Sequence, residues 1–114
     1  MDENQISENK QPKEAISKPR RNENDHTVLV GDKPFMNYVT GVVMQFTTQN
    51  ADEVTIKARG KFISRAVDIS EVTRKRFLEG RVDLGEIKVD SEDFENREGK
   101  QIRVSTIEIH LLKK

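Results

Sequence analysis

Two short segments carry basic side chains where helices should begin. Gly31-Asp32-Lys33-Pro34 follows the apolar run His26-Thr27-Val28-Leu29-Val30, and Ala58-Arg59-Gly60-Lys61 closes the alternating run that starts at Glu53. A helix N-terminus leaves backbone N–H groups unpaired and carries partial positive charge, so it binds phosphate and prefers an acid nearby. Asp32 suits that rule. Lys33, Arg59 and Lys61 oppose it, each at up to about 1 kcal/mol, with Arg65 one turn further on. A bound anion would satisfy the N–H groups and the bases together. Two such places on one sheet edge suit successive backbone phosphates. The alternative is a set of ordinary exposed bases in a charge-rich chain.

Two more groups belong to the same chemistry. Asn37 and Tyr38 fall in the first turn of the first helix. Asn37 can hydrogen-bond a phosphate or a base edge, and Tyr38 can stack on a base or ribose. The alternative for Tyr38 is partial burial with an exposed hydroxyl. Arg97, Lys100 and Arg103 lie among Glu92, Asp93, Glu95 and Glu98. A projecting ribbon that carries arginine can enter a groove, while the interleaved acids also fit a solvated loop.

Catalysis has little to build on. His26 and His110 lie on predicted strands without metal-site spacing, and there is no Cys to help them. Ser64, Ser70 and Ser105 lack a nucleophile motif. Neither a Walker loop nor a GxGxxG fingerprint occurs. The reading is a protein that is not an enzyme, with no metal and no cofactor.

These residues need elements to position them. Residues 26–31 read as a strand. A helix then runs from Pro34 to Gln49 or Asn50, burying Phe35, Val39, Val42 and Phe46 with Met36 and Val43. Residues 53–59 alternate Val54, Ile56 and Ala58 inward as a second strand. Gly60 breaks it, and a second helix covers about 61–78. That helix has two apolar stripes, Ile63, Ala66, Val67 and Ser70 against Phe62, Ile69 and Val72, and an apolar end at Phe77 and Leu78. One stripe would pack on the sheet and the other on another chain, which makes Ile69, Val72, Phe77 and Leu78 candidates for a dimer or dimer–dimer interface. A deep core helix is the alternative. Residues 81–114 form a long hairpin. The buried parity changes within each arm, so both arms should bulge or twist, and the polar tip, 92–103, should project. The order is β-α-β-α-β-β, an α/β (α+β) sandwich. A right-handed crossover makes the first two strands parallel, with their C-terminal ends on one sheet edge.

Composition agrees with a single binding domain. The 114 residues are 33% hydrophobic and 35% charged, so the core is thin and a partner chain should add burial. Formal net charge is zero, from 20 bases and 20 acids. Residues 1–25 hold 6 acids and 5 bases, and 26–114 hold 14 acids and 15 bases, so no strongly basic domain hides behind the tail. Residues 1–25 are too polar to offset ordering entropy and are expected to be a disordered tail. Lys18, Arg20 and Arg21 there read as a solvated linker. The absence of Cys, of long apolar runs and of a signal-peptide core makes an intracellular protein without a membrane span the expectation.

The strings VLVGDKPFMNYV, ADEVTIKARGKFISRAVD, EVTRKRFL and RVSTIEIHLLKK closely resemble the Alba family of archaeal chromatin and RNA-binding proteins. The resemblance covers roughly residues 26–114. It implies the fold of the C-terminal domain of bacterial initiation factor three, with the hairpins of a homodimer, or of a heterodimer with a paralogue, extending as arms. It implies non-catalytic, largely sequence-independent binding of double-stranded DNA, with compaction or bridging, and of RNA, by a cytoplasmic protein on the chromosome. An RNA chaperone or ribonucleoprotein subunit, and a protein-interaction module, are the alternatives. By this resemblance Lys33 matches the second lysine of the family's GKKP loop, and Asn37 and Tyr38 match helix-one contacts. Arg59 and Lys61 match the basic pair of KARGR, and Phe77 an aromatic used where dimers associate. Asp32 departs from the family's first loop lysine, so acetylation there cannot operate in this chain. The neutral charge, the acidic tip and the long tail depart as well. They imply weaker, more salt-sensitive binding or a preference for RNA.

Overall fold

The computed structural model describes residues 26–114; the tail expected over 1–25, with Lys18, Arg20 and Arg21, lies outside the described residues. The elements are β1 (Thr27–Leu29), α1 (Phe35–Thr47), β2 (Glu53–Arg59), α2 (Ile63–Val72), β3 (Val82–Glu95) and β4 (Gln101–Lys113). One four-stranded sheet has the order β1-β2-β4-β3. β1 and β2 are parallel, and the other two pairings are antiparallel. This is the mixed α/β sandwich expected from the periodicities.

Both helices cover one face of the sheet. Val54, Ile56 and Ala58 of β2 alternate into it, beside Ile109 and Leu111 of β4. α1 buries Tyr38, Val39, Val42 and Phe46. Met36, expected inside, is half exposed, and Tyr38 takes the inward position. α1 has no side-chain cap, so Asp32 does not close it.

The second helical segment departs from uniform α geometry at both ends. Gly60 (φ 57°) starts a 3-10 turn over Gly60–Phe62, and Ile63 N–H donates back to the Gly60 carbonyl. At the other end Thr73–Phe77 forms a π-helical turn, closed by Leu78 N–H donating to the Thr73 carbonyl at 2.9 Å. The core face is Ala66, Ile69, Ser70 and Thr73, not either stripe expected from the sequence. A π turn inserts one residue and advances the phase of whatever follows. Phe77 is therefore 49% exposed, whereas Leu78 is 2% exposed. Ile69 and Leu78, expected at an interface, lie in the chain's own core.

The hairpin bulges in one arm, not both. Leu84 faces Leu111 while Ile87 faces Ile109, so β3 spends three steps where β4 spends two. Gly85 sits in that irregularity. A Cβ there would lie 2.9 Å from Leu112 side-chain carbons and 3.1 Å from the His110 carbonyl oxygen. Gly85→Ala should cost about 1–3 kcal/mol by overpacking, read as a lower urea midpoint at unchanged slope. β4 runs without a compensating bulge, so Ile102 and Val104 lie on the face away from the helices. There they are opposed by Phe94 and Glu92 of β3.

Candidate nucleic-acid interface

Parallel pairing carries the ends of β1 and β2 to the same edge of the sheet. Leu29 is in register with Lys57, and Val30 N–H donates to the Lys57 carbonyl at 2.9 Å. The loop at 31–34 therefore stands beside the turn at 59–61. Each opens a helical segment that has no side-chain cap and no acid in its first turn. A helix start of that kind, closed by no side chain, can receive an anion.

The first loop is tied down from within. Tyr38 is 9% exposed, and its hydroxyl accepts from Gly31 N–H at 2.9 Å and Lys33 N–H at 3.2 Å. Arg65 places its guanidinium 5.6 Å from the Tyr38 ring centroid and donates from Nη1 to the Gly31 carbonyl. Tyr38 and Arg65 thus shape the loop, and the burial of the Tyr38 ring does not fit the expectation that it stacks on a base. Asp32, Lys33 and Asn37 are exposed, and Lys33 has no ion pair among the described residues.

The second turn divides its two bases. Lys61 lies 5.4 Å from the Phe62 ring centroid and meets no carboxylate among the described residues. Arg59 turns toward the hairpin instead. It sits 3.6 Å from a Glu92 carboxylate oxygen and 5.7 Å from the Phe94 ring centroid. Phe94 and Glu92 as partners of Arg59 escaped the sequence reading. A lone aromatic in an otherwise polar hairpin is the one signal that could have pointed there.

The hairpin stem continues past the last β2 pairing, Arg59 with Thr106, through Glu95 opposite Gln101. At roughly 3.3 Å per residue that free stem is about 17 Å long, a projecting arm as expected. Asn96 Oδ1 accepts from Glu98 N–H and Lys100 N–H at 2.9 Å each, and Gly99 (φ 82°) turns the chain. Arg97 and Lys100 are exposed at the tip without ion pairs among the described residues. Arg103 Nε is bound to Asp93 at 3.0 Å.

Some charges elsewhere are paired locally. Glu71 accepts from Arg74 Nε at 2.7 Å and lies 3.5 Å from Lys75. The Arg74 hydrogen bond holds its carboxyl below the usual carboxylate range. His110 bridges Glu53 and Glu108 on the open face. No group of three or more His, Cys, Asp or Glu among the described residues could hold a metal ion.

The family model described as Alba matches residues 26–91. The DNA/RNA-binding protein Alba of Nanoarchaeum equitans is 59% identical over 88 residues, covering 76% of this chain and 97% of that protein. The DNA/RNA-binding protein Alba of Methanococcus maripaludis is 51% identical over 89 residues, covering 78% and 99%. The solved structure of Alba from Thermoplasma volcanium superposes with a TM-score of 0.69 at 46% identity, covering 75% of this chain and 98% of that one. With the fold, the sheet-edge loops and the projecting hairpin all in place, the chain belongs to the Alba family.

Proposed function

We propose that this protein binds nucleic acid without catalysis, taking double-stranded DNA and RNA through their phosphate backbones with little regard to sequence. The observation that carries the reading is the meeting of two uncapped, base-bearing helix starts on one sheet edge, below a projecting hairpin whose tip exposes Arg97 and Lys100. Lys33, Lys61 and Arg59 supply the phosphate contacts, with Asn37 beside them and Arg97 and Lys100 reaching further along the strand. Relatives named as DNA/RNA-binding proteins support the same reading.

The binding unit is a dimer of two copies of this chain. α2 packs over β2 and β4, which leaves the helix side of β3 uncovered. Ile87 is 49% and Val89 72% exposed there, and Phe77 is half exposed on the turn that packs beside β3. An apolar band of this kind marks an interaction surface, and a second copy supplies the burial that the thin core lacks. Dimers spaced along a duplex would coat or bridge it, placing the protein on the chromosome.

Charge changes in the first loop test the phosphate assignment. Lys33→Glu should weaken duplex DNA and duplex RNA alike, by roughly tenfold or more per dimer. Asp32→Lys should tighten both. Fluorescence anisotropy with three unrelated sequences reads the result. A change of sequence preference at constant mean affinity would refute phosphate contact by this loop.

A further inference from the structure

The hairpin carries its own anions to the bases that the nucleic acid needs. Glu92 and Asp93 are consecutive residues of β3, so their side chains leave opposite faces of the ribbon. Each holds a guanidinium: Glu92 meets Arg59 at 3.6 Å, and Asp93 meets Arg103 at 3.0 Å. The Arg59 pair is the informative one. Its members come from β2 and β3, 33 positions apart, and reach diagonally over β4, where Arg59 faces Thr106 and Glu92 faces Val104. Phe94, two residues further along the same face of β3, offers its ring to the same guanidinium at 5.7 Å. Arg59 is thus drawn up along the stem, while Lys61, its neighbour on the same turn, meets no carboxylate among the described residues.

We infer that Glu92 is a built-in competitor for the phosphate at Arg59, so that loading of nucleic acid requires exchange of this carboxylate for a backbone phosphate. The inference rests on the nucleic-acid reading above and concerns the regulation of that site. A carboxylate and a phosphodiester offer a guanidinium the same kind of acceptor oxygens. Both partners of the pair are more than half exposed, so the ion pair itself is weak and exchangeable. After exchange the displaced carboxylate remains beside the phosphate, and the like-charge repulsion subtracts from affinity. Phe94 keeps the guanidinium against the stem while the anions trade places. The hairpin acid therefore sets a threshold: isolated phosphates compete poorly with Glu92, whereas a polyphosphate already held at Lys33 and Lys61 competes well.

A mutant cycle on the full chain tests this, by titration of a fluorescent 40-base-pair duplex at fixed moderate salt. Glu92→Gln should tighten binding roughly fivefold, the factor that one unit-charge repulsion at contact distance in water supplies. Glu79→Gln removes an equal charge from an exposed site before the base of β3, at the opposite end of the hairpin from Glu92, and should change binding less than twofold. In the Arg59→Ala background, Glu92→Gln should fall to the size of that control. Equal tightening in both backgrounds would reduce Glu92 to net charge and overturn the inference, as would no tightening at all. If Arg59→Ala binds like the unaltered chain, the phosphate assignment of Arg59 fails first. If Arg59→Ala weakens binding and Glu92→Gln does nothing, the phosphate reading stands and the competitor falls.

Discussion

Between 50 and 200 mM salt, the affinity of this protein for duplex DNA should fall about a thousandfold. The figure comes from counting bases that are free or exchangeable on one surface. In the proposed binding mode, Lys33, Lys61 and Arg59 make three phosphate contacts per protomer and six in the dimer. Each neutralised phosphate contributes a slope of roughly −0.9 to log affinity against log salt on B-DNA, so six contribute about −5. Zero net charge does not cancel this. Acids such as Glu71 are committed to local partners, and exposed charges beyond a Debye length of about 8–10 Å are largely screened. Engagement of Arg97 and Lys100 at the hairpin tip would steepen the slope further. An electrophoretic or anisotropy titration across the salt series reads the slope directly. A value near −2.7 would mean that a single protomer carries the contacts, and a flat response would remove the phosphate reading altogether.

The parts legible in the sequence are those where one local period decides. Val54, Ile56 and Ala58 alternate without interruption, and β2 buries those three. The parity change from Leu84 to Ile87 announced the bulge in β3. The parity change in β4 announced nothing of the kind, because Ile102 and Val104 find neighbours on the open face, where Phe94 and Glu92 stand opposite them. Helix two was misread for a different reason. A stripe assumes that one whole row faces the core, but the buried arc of α2 takes Ala66 and Ser70 from one row and Ile69 from the other. The π turn at Thr73–Phe77 then divides the apolar end, sending Leu78 inward and Phe77 outward. The bases of the site were legible because their positions follow from strand ends and helix starts. Their partners were not, since the contact of Arg59 with Glu92 depends on the register of three strands and the reach of two long side chains.

Truncation of Tyr38 is expected to have the largest effect on the fold of the site. Tyr38→Ala should cost about 3–5 kcal/mol, the usual range for deleting a buried aromatic ring, because the ring is 9% exposed and packs in the main core. Tyr38→Phe separates the hydroxyl from the ring. The hydroxyl accepts from two backbone N–H groups, those of Gly31 and Lys33, and its loss should cost about 1–3 kcal/mol through unpaired donors. Chemical denaturation gives both values. The two variants also divide a structural from a recognition role. With Tyr38→Phe the amides of Gly31 and Lys33 should exchange faster with solvent, while amides in β2 and β4 keep their protection relative to global stability. Affinity for DNA should then fall only modestly, because Lys33 keeps its charge and loses only its fixed position. Unchanged stability with a sharp loss of affinity would instead place the hydroxyl on the nucleic acid. The geometry favours the first outcome: an oxygen already holding two donors from the loop, under a ring faced by Arg65, is an anchor for the loop proposed to touch phosphate.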